Sequence, residues 1–219
     1  NLFDLDIVAK YFPFLVRGVG ITVQFTFVSF LIAILLGLLI ALGRISGNKM
    51  LRIPCQAYID FIRGTPLLAQ IYLVHFGLPQ ILHYKPVGSI DALVSLTLNS
   101  SAYMAEIYRS GIESIESGQM EAARSLGMTY GQAMQYVILP QAIRRVIPPM
   151  GNEFVTLLKE SSLVSVIGME DLMMRSKMMA GQSFRPFEAY FTTALIYLVL
   201  TFTISRMLGL LEGRLKAGG

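Results

Sequence analysis

The sequence predicts an all-α integral membrane protein in which five helices cross the bilayer as one domain over residues 1–219. Of its residues, 54% are hydrophobic and only 15% are charged, whereas soluble domains carry about 25% charged residues. The apolar residues are gathered in long uncharged runs, and about 20 such residues in a helix cross the hydrocarbon core of a bilayer. Lipid is therefore the predicted solvent for most of the chain.

Five segments satisfy this length requirement. They are residues 18–43, 56–82, 87–112, 134–158 and 190–207. The first has no charged residue between Arg17 and Arg44. In the second, Pro66 and Pro79 predict local kinks, because proline lacks the backbone N–H that a helix interior needs.

The third and fourth segments are less regular. Asn99, Ser100 and Ser101 make the middle of the third polar, so these side chains should face protein or a water-filled cavity. The fourth is interrupted by proline and glycine and is therefore predicted to be bent or broken where it lines a cavity. The interrupting residues are Pro140, Pro148, Pro149 and Gly151. The connection 159–189 is predicted to form short amphipathic helices at the outer interface.

The basic residues predict the orientation. They concentrate around the first loop, at Arg44, Lys49, Arg52 and Arg63, and near the end of the chain, at Arg206, Arg214 and Lys216. Because cytoplasmic loops retain Lys and Arg, the first loop and the C-terminus are expected inside the cell and the N-terminus outside. No cluster of basic residues is interleaved with aromatic residues, so a nucleic-acid partner is not expected.

Several kinds of enzyme site are missing from the sequence. No G-x-x-x-x-G-K-[ST] phosphate loop occurs, so ATP hydrolysis is not expected in this chain. The two histidines, His75 and His83, lie in or beside the second span without a nucleophile, and packing is the expected role of His75. Cys55 is the only cysteine, and no Cys/His spacing predicts a metal site.

The loop 115–133, predicted to be cytoplasmic, carries the most specific motif. Glu121, Ala122 and Ala123 are followed by Gly127, and Leu139-Pro140 ends the stretch. Glycine permits a sharp turn between two short helices, and paired alanines leave a shallow surface for another protein. An ordinary connecting loop is the alternative interpretation.

This motif resembles the EAA loop of binding-protein-dependent ABC importers, with Val137 where that pattern usually has Ile. In that family the loop forms coupling helices that bind a groove of the ATPase subunit. The resemblance narrows to the polar amino acid permeases through residues 61–79, 98–112 and 151–168, which are similar to that family's other signatures.

The resemblance implies a type I importer fold and an assembly in a prokaryotic cytoplasmic (inner) membrane. It implies a second permease, identical or paralogous, two ATPases that bind ATP and Mg, and an extracellular solute-binding protein. No cofactor is expected in this chain itself. An ion-coupled secondary transporter is the rival from another class, but inverted repeats are common there and none is visible. A structural scaffold would need no polar residues at mid-membrane depth.

Glu153 is the strongest candidate for contact with the substrate. An ionisable residue within a span is expensive and is by default a functional hypothesis. Arg144 and Arg145 are more than two helical turns away along the fourth span, too far to neutralise it. Either the carboxylate is bonded to another span or held protonated, or it contacts a cationic amino acid such as arginine, lysine or histidine. Glutamine or another uncharged polar amino acid is the alternative substrate.

Five more residues are predicted to complete the substrate site. Asn99 and Ser101 either bind polar groups of the substrate or tie helices together. Thr65, Leu67 and Gln70 lie at the kink of the second span, where Leu67 is equally suited to packing. Two pairs spaced three residues apart, Asp60 with Arg63 and Glu106 with Arg109, are predicted to be structural ion pairs.

Overall fold

The computed structural model describes residues 3–217, apart from the side chains of residues 212 and 214–217, so the predicted contribution of Arg214 and Lys216 to orientation lies outside the described part. All regular elements in this part are helical. In chain order they are α1 Leu5–Ile45, α2 Lys49–Gly64, α3 Leu67–Tyr72, α4 Leu78–Leu82, α5 Gly88–Glu113, α6 Ser117–Ser125, α7 Tyr130–Ala133, α8 Leu139–Glu160, α9 Leu172–Ser183 and α10 Pro186–Ala217. Two π-helical turns, Leu73–Gly77 and Met134–Ile138, and a 3-10 helix, Ser161–Ile167, complete the set.

The predicted helical class is confirmed, and two of the described helices pass a simple test for a span. The segments Leu5–Ile45 and Pro186–Leu211 are long and apolar enough to cross a membrane, and Leu67–Leu82 is a shorter apolar helix. The total of five spans and the sides of the two termini remain predictions.

Small side chains allow α1 to lie close against α5. The buried face of α1 consists almost entirely of them, and its members are Leu15, Gly18, Thr22, Thr26, Ser29, Ala33, Gly37 and Ala41. A Cβ added at Gly37 would lie 2.5 Å from Met104 Cβ and 2.9 Å from the Ser101 carbonyl oxygen. Membrane helices associate through such close packing, because lipid provides no hydrophobic drive between them.

Two apolar clusters join α3, α8, α9 and α10 to this pair. Leu67 and Ile71 of α3 pack with Leu96 of α5 and Leu157 of α8. The second cluster, formed by Leu15, Leu172, Met179 and Ala189, connects α1, α9 and α10. The short helices expected in the connection 159–189 are therefore present, and α9 packs onto α1 and α10.

Each π-helical turn ends immediately before a Leu-Pro pair. The Leu78 N–H donates to the Leu73 carbonyl ahead of Pro79, and the Leu139 N–H donates to the Met134 carbonyl ahead of Pro140. A proline ring clashes with the carbonyl four residues earlier, and a wider turn relieves that clash. Pro66 also has extended backbone and begins α3, so both predicted kinks of the second span are confirmed.

The fourth predicted span is not broken at Pro148 and Pro149, because α8 runs without interruption from Leu139 to Glu160. Pro148 and Pro149 have the φ that a helix requires and remove hydrogen bonds on only one turn. The carbonyl groups left without those donors belong to Arg144 and Arg145, which are both exposed. The irregularity associated with this helix is the π-helical turn just before it.

Several helices are longer than the apolar runs that predicted them. The helix of the first segment starts at Leu5, where Asp4 caps it by accepting from Asp6 N and Ile7 N, and it continues through Pro13. The last helix starts at Pro186, before the predicted 190. Polar helix ends do not appear in a search for uncharged runs.

The close approach of α1 and α5 gives the first testable prediction. Gly37→Ala should lower the thermal midpoint of the purified protein, because its methyl group overlaps Met104 and overpacking costs about 1–3 kcal/mol. Gly20→Ala on the same helix is the matched control, since nothing lies within 4 Å of its added Cβ. Equal thermal midpoints for the two variants would contradict the packing described here.

Candidate functional site

Glu153 lies in the middle of the fold with one polar neighbour. It is 9% exposed on α8, and the Ser100 hydroxyl of α5 donates to its Oε1 over 2.8 Å. Among the described residues no ion pair includes Glu153. Another span therefore does bind the carboxylate, as one of the two sequence interpretations required, but it does so through a neutral group.

The arginines that precede Glu153 on α8 point elsewhere. Both Arg144 and Arg145 are exposed, and Arg145 donates to the Ser114 carbonyl at the end of α5. This agrees with the prediction from helical rise that neither neutralises Glu153. The carboxylate keeps its capacity to accept hydrogen bonds from a ligand.

Beside Glu153, α8 exposes a polar face that the sequence analysis did not identify. Asn152, Thr156 and Lys159 are all exposed, and their spacing of four and three residues places them on one side of the helix. An amide and a hydroxyl at this depth need protein or water around them. The sequence shows the same spacing of four and three residues for Asn152, Thr156 and Lys159.

The Gln70 side chain forms hydrogen bonds across the break between α2 and α3 and also with α5. Its Nε2 donates to the Ile62 carbonyl over 2.8 Å, and to the Thr65 carbonyl and hydroxyl over 3.1 Å and 3.0 Å. Its Oε1 accepts from Asn99 Nδ2 over 3.0 Å. Three of the predicted substrate residues are therefore brought together, and in this structure they tie helices to one another.

Ser101 and Leu67 also make contacts within the fold. The Tyr58 hydroxyl of α2 lies 2.8 Å from Ser101 Oγ and 2.8 Å from the Leu98 carbonyl oxygen. Leu67 is buried in the first apolar cluster, which is the packing alternative for this residue. Tyr58 was missed as a partner because forty-three residues separate it from Ser101.

One acceptor in this region has no partner. Asn99 is 3% exposed, and among the described residues its Oδ1 receives no hydrogen bond. Buried polar atoms in proteins are nearly always paired. Asn99 therefore has an acceptor to spare for a ligand or an ordered water, even though its amide nitrogen is engaged.

The predicted ion pairs are confirmed in one case and wrong in the other. Arg109 pairs with Glu106, and also with Glu113 one turn further on. Asp60 does not pair with Arg63: it accepts from Gln56 Nε2 at 2.6 Å, while Arg63 reaches Glu106 at 3.8 Å. The Glu106 carboxylate on α5 competes with Asp60 for Arg63. The spacing of residues along α2 alone cannot predict this contact between two helices.

His75 has a structural partner, in agreement with the predicted packing role. Its Nδ1 lies 2.7 Å from Asp91 Oδ2 at the start of α5. Asp91 is buried, and the imidazole is mostly covered. Across the described residues, no group of three or more His, Cys, Asp and Glu side chains is arranged to bind a metal ion.

The loop after α5 forms two short helices joined at Gly127. α6 contains Glu121, Ala122 and Ala123, and Gly127 follows it with a φ of +87°, a conformation that glycine adopts without strain. A capping box of Thr129 with Gln132 starts α7. The sharp turn predicted at this glycine is therefore present.

The exposed surface of this loop includes large apolar side chains. Leu126 is 82% exposed and Tyr130 is 62% exposed. Glu121 and Ala122 are exposed as well, whereas Ala123 is buried within the chain, so only one of the paired alanines faces outward. Leu139 and Pro140 begin α8 directly behind the loop. Two large apolar side chains are therefore uncovered on either side of the turn at Gly127.

Comparison with known proteins places these features in a family. The family model described as "Binding-protein-dependent transport system inner membrane component" matches residues 33–217. The chain is 37% identical over 214 residues to the arginine transport system permease protein ArtQ of Bacillus subtilis (strain 168), covering 98% of each chain. It is 44% identical over 181 residues to the probable glutamine ABC transporter permease protein GlnM of the same organism, covering 83% of each.

A solved structure has the same fold. It is described as the crystal structure of an amino acid ABC transporter with histidines, and it is 44% identical to this chain with a TM-score of 0.93. The match covers 96% of this chain and 98% of the other. The matched region therefore includes nearly all of the helices described above.

The hydrogen bonds of Gln70 give a second prediction. Gln70→Leu should lower the thermal midpoint, because it leaves the Ile62 carbonyl and the Asn99 amide without their buried partner, at about 1–3 kcal/mol for each such group. Gln80→Leu is the matched control on the exposed side of α4. Equal thermal midpoints for Gln70→Leu, Gln80→Leu and the unmodified protein would contradict the role of Gln70 in holding α2 and α3 against α5.

Proposed function

The chain belongs to the family of binding-protein-dependent transport system inner membrane components and is the permease subunit of an amino acid ABC transporter, and from this premise we propose that its substrate is a cationic amino acid. The observation that carries the proposal is Glu153. Its carboxylate is buried within α8 beside one neutral hydroxyl.

The charge balance around Glu153 favours a positive ligand. Burying an ionised carboxylate is expensive unless a cation or several donors compensate it. Ser100 provides one donor, and no described Lys or Arg provides a charge. The guanidinium, ammonium or imidazolium group of arginine, lysine or histidine would provide both charge and donors.

The surroundings of Glu153 support a route for such a ligand. Asn152 and Thr156 are exposed on the same helix, and Asn99 Oδ1 is a buried acceptor without a partner on the facing helix α5. We assign the polar face of α8 to a water-filled pathway, with Asn99 accepting from the substrate. Thr65, Leu67, Gln70 and Ser101 shape that site mainly by fixing α2 and α3 against α5.

The comparisons support an amino acid as the substrate and leave open whether its side chain is cationic or uncharged and polar. The relatives include one named for arginine and one named for glutamine. Glutamine or another uncharged polar amino acid is therefore the second candidate. A site for it would have no need of a carboxylate that lacks a cationic partner, and for this reason the cationic substrate is preferred.

Transport requires partners that supply energy and substrate. As a permease the chain is not itself an enzyme. We infer that two ATPase subunits bind ATP and Mg, that a second permease, identical or paralogous, completes the pathway, and that an extracellular solute-binding protein delivers the amino acid. The exposed surface of α6, Gly127 and α7 is the proposed contact with the ATPases, whose closure then changes the side to which the pathway opens.

The role of Glu153 is tested by uptake into proteoliposomes that contain the complete transporter. Glu153→Gln keeps the size of the side chain and its acceptor for Ser100 but removes the charge. Arginine uptake should fall by at least about tenfold, the effect of losing a hydrogen bond to a charged group. Glutamine uptake, if the wild type shows any, should not fall with it.

Glu170→Gln is the control for this experiment, because Glu170 is exposed and pairs with Arg175 away from α8. Retained arginine uptake and ATPase stimulation are expected for it. Unchanged arginine uptake in Glu153→Gln would show that the carboxylate does not select the substrate, even in a correctly assembled amino acid permease.

The coupling role of the loop is tested at Gly127. Gly127→Val forces a β-branched residue into a positive φ, which distorts the turn between α6 and α7. Amino acid uptake per ATP hydrolysed should fall severalfold while the permease still purifies in folded form. Gly20→Val in α1, outside this surface and with nothing within 4 Å of an added Cβ, should transport normally. Normal coupling in the Gly127 variant would count against this surface.

A further inference from the structure

A polar cavity lies apart from Glu153, where the end of α1, the start of α2 and the end of α5 meet. Its volume is about 410 Å³. It is lined mainly by charged and polar side chains, among them Arg44, Ser46, Arg52, Gln56, Arg109 and Glu113. Neither the transport pathway nor the loop at Gly127 uses these side chains.

The cavity has an excess of positive charge. Glu113 is the only acid of its lining, and Arg109 already pairs with it. Arg44 and Arg52 have no carboxylate within 4 Å among the described residues. Two guanidinium groups that form no ion pair therefore face the cavity, although Glu106 interacts with Arg44 at longer range. Guanidinium groups with free donors are suited to bind a phosphate group.

Hydrogen-bonding capacity remains beside the two arginines. Gln56 Nε2 is engaged by Asp60, so its carbonyl oxygen is free to accept from a hydroxyl. Ser46 Oγ accepts from Asn48 N, which leaves the Ser46 hydroxyl proton free to donate. The cavity thus combines cations with one spare acceptor and one spare donor.

Exposed apolar residues flank the two arginines along the chain. Ile45, which follows Arg44, lines the cavity, and Met50, Leu51 and Ile53 are exposed around Arg52 on α2. α1 is a helix that is long and apolar enough to cross a membrane, and the cavity lies at its end. Basic side chains directly beside an exposed apolar surface at a span end are typical of sites for anionic lipid headgroups.

We propose that this cavity binds the phosphodiester headgroup of an anionic phospholipid. Arg44 and Arg52 contact the phosphate, and Ser46 and Gln56 bind the hydroxyl groups of a glycerol headgroup. The acyl chains lie along the exposed apolar residues of α2. A bound lipid would connect α1 and α2 to the end of α5, from which the loop to α6 departs.

The test is native mass spectrometry of the complete transporter in micelles that contain phosphatidylglycerol or phosphatidylcholine. The wild type should retain phosphatidylglycerol, and Arg44→Gln with Arg52→Gln should weaken its binding by about 25-fold, taking roughly fivefold for each basic residue near an anionic lipid. Arg206→Gln, which removes an exposed arginine elsewhere, should bind as the wild type does. Arg44→Lys with Arg52→Lys keeps both charges and should retain most of the binding, which separates the loss of charge from misfolding.

Three results would overturn the proposal. The first is equal phosphatidylglycerol binding by the wild type and the double glutamine variant. The second is equal retention of phosphatidylcholine and phosphatidylglycerol by the wild type. The third is displacement of the lipid by inorganic phosphate at the same concentration, which would make free phosphate the ligand of the cavity.

Discussion

Burial of the polar middle of α5 is the constraint on which the rest of this structure depends. Asn99, Ser100 and Ser101 are consecutive and therefore point in three directions around the helix. Each contacts a different neighbour: Gln70 of α3 at 3.0 Å, Glu153 of α8 at 2.8 Å and Tyr58 of α2 at 2.8 Å. Unpaired polar groups cost several kcal/mol in lipid, so these contacts set the positions of three helices against one. The small residues of α1 then pack closely against α5 beside Ser101 and Met104.

Much of this arrangement was predictable from local sequence. The bounds of α5, the burial of its polar middle, the kinks at Pro66 and Pro79 and the turn at Gly127 all follow from residue types and spacing. The partners of those residues did not follow, because Ser101 and Tyr58, or Ser100 and Glu153, are more than forty residues apart. The pairing of Arg63 with Glu106 depends in the same way on a neighbouring helix.

Because α8 is a continuous helix, it places two features on one element. One side of α8 carries Glu153 into contact with Ser100, and the adjacent side exposes Asn152, Thr156 and Lys159. A break at Pro148 and Pro149 would have separated these residues from the loop that precedes the helix. As a single rigid element, α8 connects the proposed substrate site to Leu139 and Pro140, directly behind the proposed ATPase contact.

The central claim is that the polar face of α8 lines a water-filled pathway for a cationic amino acid, and thiol accessibility tests it directly. In a variant without Cys55, the only cysteine of the sequence, cysteine is introduced at Asn152, Thr156 or Leu198. A membrane-impermeant thiol reagent should modify the first two in the assembled transporter, more slowly when arginine is present, and should leave the cysteine at position 198 on α10 unmodified. Equal reactivity at all three positions, or no protection by arginine, would contradict the claim.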